Sequence, residues 1–272
     1  MAFLLALVIW LVSLGLAIPF ITRTWWLPDA ITEHARQVDD QFMLTLVVTG
    51  IIFILAQGAL GYAVWRFGRE RPEPASPVRG NDRWEILWTA AAAVLFIGLT
   101  FMGYTVWAEA RFTKAQSEDP AADRLIVEVT GQQFVWNMRY PGRDGKFGPL
   151  DNSLIDDEMG NPLGLDRQHP NGRDDIMVPR MAVPVGREVE VVLRSKDVIH
   201  NFFVPELRIK LDTVPGLVNR LRFKPEKVGT YEIPCSELCG LGHYKMRSFL
   251  DVMAPEDYAS WLEEQYSYLE EL

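Results

Sequence analysis

The sequence predicts a membrane-anchored α+β chain: a hairpin of transmembrane helices, two or three in number, then an all-β domain closing as a sandwich or barrel. Three observations carry this. Two long windows hold no charged side chain, the hydrophobic period then changes to two, and Gly and Pro turn signals separate the short segments that follow. Composition agrees, because 49% hydrophobic residues with nine Trp is rich for a soluble protein, and 272 residues exceed one small domain.

The first apolar stretch is residues 1–21, and it reads as a retained helix or as a signal-like segment. A signal peptide opens with positive charge, yet the first charge here is Arg23, and the run is long for the apolar part of a signal. The charge-free windows are residues 42–65 and 86–107. Each exceeds the roughly 20 residues that cross about 30 Å of hydrocarbon. Tyr62, Trp65, Trp84, Trp88, Tyr104 and Trp107 sit near their ends, where aromatic rings settle at the headgroup level. Residues 42–107 are thus a helical hairpin. Its loop, 66–83, carries Arg66, Arg69, Arg71, Arg79 and Arg83 against Glu70, Glu73 and Asp82, so the positive-inside rule makes it cytoplasmic. Everything after residue 108 then lies outside, in the bacterial periplasm or its equivalent. Glu85 opens the second helix of the hairpin, and an ionisable group at membrane depth is a functional candidate, the plain alternative being a carboxylate that snorkels or pairs with Arg83.

From 108 to 254 the pattern alternates, as in residues 124–130, 187–193 and 217–223, with further short strands at 134–140, 230–234 and 246–252. Many short antiparallel strands imply a sandwich or barrel. Residues 142–176, rich in Gly, Pro, Asp and Asn, read as an insertion between two strands. Asp156, Asp157, Glu158 and Asp166 within it read as a solvated acidic loop rather than a calcium site, since the spacing misses the EF-hand pattern. Pro255 opens a C-terminal helix, 255–272, with Tyr258, Trp261, Leu262, Gln265 and Tyr266 spaced for one packed face.

The chemistry concentrates in Cys235-Ser-Glu-Leu-Cys239-Gly-Leu-Gly-His243-Tyr-Lys-Met246. Two thiols, an imidazole and a thioether in one loop are the soft donor set that favours copper in an electron-transfer site. Zinc is the competing metal, but it closes with nitrogen and thiolate ligands and has no use for a thioether. A Cys235–Cys239 disulfide is the other competing reading. A mononuclear blue copper site needs one cysteine, so the second is one too many, whereas two thiolates can bridge two ions. A second histidine must then come from elsewhere. His200 is the candidate, at the end of a strand-like run, with Pro205 stopping that strand. His34 and His169 lie in polar, loop-like stretches and read as solvated.

The chain resembles subunit 2 of the haem-copper cytochrome c oxidases, which carries the binuclear copper A (CuA) centre. The loop fits that family's C-S-E-x-C-G-x-x-H-x-x-M pattern at every specified position, and His200 is followed by Pro205, Lys210, Asp212 and Pro215-Gly216 in the family's order. The resemblance implies a cupredoxin-like Greek-key sandwich. It implies that Cys235 and Cys239 bridge two coppers, that His200 and His243 bind one each, that Met246 is axial to one, and that the Glu237 carbonyl is axial to the other. It also implies that the Glu237 side chain helps hold magnesium at the interface with the catalytic subunit, and that Glu85 stands at the mouth of a proton channel.

The implied activity is electron input to a terminal oxidase, from a cytochrome c-type donor to haem in a partner that reduces dioxygen to water and pumps protons. Residues 108–272 carry 28 acidic and 20 basic side chains, nearly all of the chain's net charge of −9. That charge suits a basic donor and excludes nucleic acid. One departure concerns the donor. In Gly131-Gln-Gln-Phe134-Val-Trp136 the family's second tryptophan is kept as Trp136, but Phe134 stands where electrons are thought to enter. A membrane-tethered cytochrome is therefore an alternative donor. The chain has no C-x-x-C-H haem attachment sequence, so a donor haem belongs to another protein. Other readings are the copper subunit of a nitric oxide reductase, a copper chaperone or assembly factor, and a purely structural quinol-oxidase subunit. The last loses the cysteines, which are present here.

Overall fold

The structure, a computed structural model, describes residues 1–24, 26–68, 77, 80–108 and 124–270. The expected loop charges Arg69, Glu70, Arg71, Glu73 and Arg79 lie outside the described residues. The chain divides into two compact units: residues 1–28 with 38–106, and residues 29–37 with 107–272.

The first unit is helical, and residues 33–37, the start of its second helix, belong to the second unit. Helix α1 is Ala2–Ile21, α2 is Glu33–Phe67 and α3 is Asp82–Ala108, and all three are long and apolar enough to cross a membrane. Helix α2 starts well before the charge-free window. The Thr32 hydroxyl accepts from the Ala35 N–H at 3.1 Å, an N-cap that lets polar residues 33–41 wind as helix ahead of the apolar part. A count of uncharged residues reads only what lipid solvates, so it misses such an extension. Helix α1 packs on α2 through Trp10, whose indole N–H donates to the Gly58 carbonyl at 3.3 Å and whose ring occupies the space where Gly61 lacks a Cβ.

The second unit is a β sandwich. Strands β1 (Leu125–Gln132), β2 (Val135–Tyr140), β3 (Ile176–Val178), β5 (Val189–Ser195) and β8 (Asn219–Phe223) form one sheet in the order β3-β2-β1-β5-β8. A second sheet runs β4-β10-β9, from Met181–Pro184, Arg247–Met253 and Gly229–Pro234. Strands β6 (His200–Val204) and β7 (Ile209–Thr213) make a hairpin. Alternation puts Val127, Val129, Val191, Leu193, Leu221 and Trp136 on an inner face against Ile233, Leu250, Val252 and Met181. Helix α4 (Pro255–Glu270) adds Tyr258, Trp261, Leu262 and Tyr266 to that core, as its spacing predicts.

Pairing is antiparallel, as expected, except that β1 pairs with β5, and β10 with β4, in parallel. Hydrophobic period reports which face is buried, and it carries no information on strand direction. Strands β3 and β4 were also invisible to periodicity, being three and four residues long, with β4 buried on both faces so that it shows no alternation; β7 does alternate, as Ile209-Lys-Leu-Asp-Thr213, and was legible. His34 is corrected too. It lies in the first turn of α2, half-buried in a cleft lined by Arg187, Lys224 and Leu262. The preceding Ile31 is a core residue, held by Ile31 N–H to Glu206 carbonyl (3.1 Å) and Glu226 N–H to Ile31 carbonyl (2.9 Å).

The outer face of the large sheet is charged yet buried. Glu128 stands opposite Arg139, and Glu190 opposite Arg222, in direct cross-strand register. The insertion covers part of this face: Arg139 also reaches the Gly148 carbonyl (2.9 Å) and the fully buried Asp175 (3.2 Å), and Leu163 and Leu165 are buried. The acidic residues of the insertion are spent locally. Asp156 and Asp166 accept from backbone N–H groups of their own turns, while Asp157 faces Lys196.

Burial alone would raise the Glu190 carboxyl, but hydrogen bonds from Arg220 and Arg124 and the charge of Arg222 outweigh it and hold the group below the usual carboxylate range. A depressed carboxyl contributes stability above its unfolded pKa and loses it as pH falls through the folded one. Denaturant midpoints measured across acidic pH should therefore fall on acidification, and Glu190→Gln should flatten part of that dependence while lowering the midpoint at neutral pH.

Candidate metal centre

The metal loop joins β9 to β10, and the β6–β7 hairpin frames it. Phe202 bridges to Cys235, Ser236 N–H donates to the Asn201 carbonyl at 3.0 Å, and Cys235 N–H donates to the Met246 carbonyl at 3.0 Å. His200 opens β6 instead of ending its strand-like run, and its side chain is fully buried. Its imidazole packs edge-on against Trp136 at 5.9 Å, and Trp136 in turn meets Phe202 at 5.9 Å.

The donor atoms converge. Cys235 Sγ and Cys239 Sγ are 3.9 Å apart and unbonded. His200 Nδ1 lies 4.0 Å from Cys235 Sγ, and His243 Nδ1 lies 3.6 Å from Cys239 Sγ. Met246 Sδ is 3.7 Å from Cys239 Sγ, and the Glu237 carbonyl is 3.2 Å from Cys235 Sγ. Each sulfur thus has one imidazole nitrogen and one weaker donor beside it. Ligand atoms of His200, Cys235 and Cys239 all lie within 4.8 Å of one another. The residues fit a metal, because 3.9 Å is less than twice a thiolate–metal bond of about 2.3 Å, so an ion can touch both sulfurs. The sulfur spacing is also far beyond the roughly 2.05 Å of a disulfide.

Electrostatics favour a cation. Burial raises both thiols, but contacts from His200 and from backbone N–H groups bring Cys235 down to about 6. Burial and the neighbouring Cys235 charge push Cys239 up to about 11. Two anionic sulfurs in one buried pocket need a positive ion between them. Burial would lower the His200 imidazole, yet Cys235 and Asp197 hold it above its ordinary value. A metal must therefore displace protons here.

Several supporting residues stand around the donor set without belonging to it. Asp197 Oδ1 lies 2.8 Å from His200 Nε2, which leaves Nδ1 facing the sulfurs. A Cβ on Gly131 would sit 2.7 Å from His200 Cδ2, so glycine makes room for the ring. Asp212 anchors Asn201 at 2.6 Å. The Asp-x-x-His spacing was readable, whereas Gly131 is brought to His200 only by the tertiary fold. Trp136 is 2% exposed and packs beneath His200. Phe134 is half-buried, its ring laid against Gly240 and Gly242 of the metal loop. The Glu237 side chain is exposed while its carbonyl turns inward. Around them Leu238, Leu241 and Tyr244 are strongly exposed. Glu85 is exposed in the first turn of α3, in the helical unit. His169 is exposed, its Nδ1 accepting from the Asn171 N–H at 3.2 Å.

Comparison with known proteins gives the family. The profile of the cytochrome c oxidase subunit II periplasmic domain matches residues 125–253, and that of its transmembrane domain matches residues 17–106. The alternative cytochrome c oxidase subunit 2 of Bradyrhizobium diazoefficiens is 35% identical over 265 residues, which are 97% of this chain and 92% of that relative. The chain belongs to the cytochrome c oxidase subunit II family. Cytochrome c oxidase subunit 2 of Cereibacter sphaeroides is 32% identical over 240 residues, 83% of this chain and 74% of the relative. Among solved structures, the periplasmic domain of subunit II of the cytochrome oxidase of Bradyrhizobium japonicum is 33% identical and matches at a TM-score of 0.41, over 55% of this chain and 98% of that one. The chain is thus a membrane-anchored subunit of a respiratory oxidoreductase, built from apolar helices and a cupredoxin-like β domain, and its family implies copper.

Two outcomes follow for the isolated site. In metal-free protein, ultraviolet thiolate absorbance should rise in two separate steps, one near pH 6 and the other near pH 11. Gly131→Ala should displace the His200 ring and weaken metal affinity about 10-fold, read by chelator competition.

Proposed function

We propose that this subunit is the electron-input module of a haem-copper terminal oxidase, holding a binuclear copper centre on Cys235, Cys239, His200, His243, Met246 and the Glu237 carbonyl. The observation that carries it is the convergence of two thiols, two imidazole Nδ1 atoms, a thioether and a carbonyl around one 3.9 Å sulfur pair. When bound, the two coppers supply one-electron chemistry shared over both ions. The chain's own residues make that exchange easy. His200, Cys235, Cys239 and Met246 are buried, which excludes water from these four, and the β6–β7 hairpin and the core hold them in place, so little has to move when charge changes.

Electrons arrive from a cytochrome c-type donor, soluble or membrane-tethered, and leave to haem in the catalytic subunit. The acidic excess of residues 108–272 speeds encounter with a basic donor. The exposed Leu238, Leu241 and Tyr244 beside Phe134 offer apolar contact at the metal end. The outward side chain of Glu237 is free to join a magnesium site shared with the catalytic subunit, and Glu85 serves the cytoplasmic entrance of its proton path. Residues 1–21 and 42–107 anchor the chain in the bacterial inner membrane, residues 108–254 form the periplasmic copper domain with its 142–176 insertion, and residues 255–272 cap it.

Metal analysis and electron spin resonance of the purified full chain test the centre. Two coppers per chain with one unpaired electron spread over both are expected, and Cys235→Ser or Cys239→Ser should abolish that spectrum. A single zinc, or a stable disulfide without metal, would overturn the reading.

A further inference from the structure

We infer that Gln133 is a positioning residue for the metal centre, tying the cysteine loop and His200 into one unit through the β1–β2 turn; this rests on the copper reading above. Gln133 is exposed at the tip of that turn, and neither hydrophobic pattern nor ligand chemistry singles it out. It nonetheless bonds in two directions. Its side-chain Nε2–H donates to the Cys239 carbonyl, and its backbone N–H donates to Asp197 Oδ2 at 2.7 Å. The other oxygen of Asp197 lies 2.8 Å from His200 Nε2. One residue therefore bonds Cys239 directly and reaches His200 through Asp197 without being a ligand.

The backbone on either side is fixed. Gly131 is in parallel register with Ser195, and Lys196 N–H donates to the Gly131 carbonyl at 3.0 Å, so the turn and the segment leading to Asp197 share a rigid reference. The cysteine loop is the part that needs holding. Gly240 and Gly242 follow Cys239, Gly240 has φ of +136°, and glycine costs the most chain entropy to order. Phe134 packs its ring on both glycines, and a Cβ on Gly240 would lie 2.7 Å from Gln133 Nε2. The Gln133 amide thus fixes the peptide between Cys239 and Gly240, while Asp197 fixes the ring orientation of His200. Sulfur and imidazole are held to the same turn, which limits their relative motion when the centre changes charge.

The test uses the full chain in detergent with Gln133→Met, which keeps length and removes the donor, Asp197→Asn, and the double variant. Copper retention against a chelator should weaken about 10-fold in each single variant. The double variant should lose less than the product of the singles, because both residues support one unit. Gln133→Glu, which turns an acceptor towards the Cys239 carbonyl, should weaken retention further than Gln133→Met. In the metal-free chain, Gln133→Met should speed alkylation of Cys239. Unchanged retention with unchanged alkylation in Gln133→Met, or losses that multiply fully, overturn the clamp and leave the copper reading standing. Absence of copper from the wild-type chain overturns the copper reading, and the alkylation result then decides the clamp alone.

Discussion

Everything at the functional end of this protein depends on two sulfurs held 3.9 Å apart where water is scarce. A pair of thiols so placed cannot both ionise on their own: one thiolate raises the other, and burial penalises each. In the free chain the second thiol keeps its proton, and a cation shared between the two sulfurs is what can replace it. The imidazoles, the thioether and the inward carbonyl are the remaining donors that such a cation asks for, and each lies beside one sulfur or the other.

The rest of the β domain serves that arrangement. Trp136 and Phe202 form an aromatic floor beneath His200, and Gly131 leaves the ring its space. The two ligand-bearing segments come from different strands, β6 and the β9–β10 connection, and they meet through the Phe202–Cys235 bridge. Elsewhere the large sheet spends its outer face on paired charges, Glu128 with Arg139 and Glu190 with Arg222, which the insertion partly covers. Breaking such buried pairs is costly because the surviving charge has no water to turn to. The long β2–β3 connection is thus a packed cover, with Asp156 and Asp166 closing its own turns and Asp175 pairing with Arg139 of the sheet.

Much of this was legible in the chain itself. The apolar windows located α2 and α3, alternation located β1, β2, β5, β8, β9 and β10, and the spacing of Tyr258, Trp261 and Tyr266 located the packed face of α4. The Cys235–Met246 loop stood out because its soft donors lie close in sequence and their combination is unusual. Three kinds of feature escaped. Strands buried on both faces show no alternation, as in β4. Strand direction leaves no periodic trace, hence the unexpected parallel pairings. Polar residues ahead of an apolar window hide a helix start, as at Glu33.

By itself, then, the sequence determined the classes of element and the donor set, because periodicity, uncharged length and ligand identity are local properties of neighbouring residues. Tertiary structure decided which atoms meet. That His200 joins Cys235 across 35 positions, that Trp136 is buried beneath it, and that Gln133 and Asp197 link two distant segments are outcomes of strand pairing between β1, β5, β6 and β9. Such contacts arise from long-range register, which no local pattern encodes.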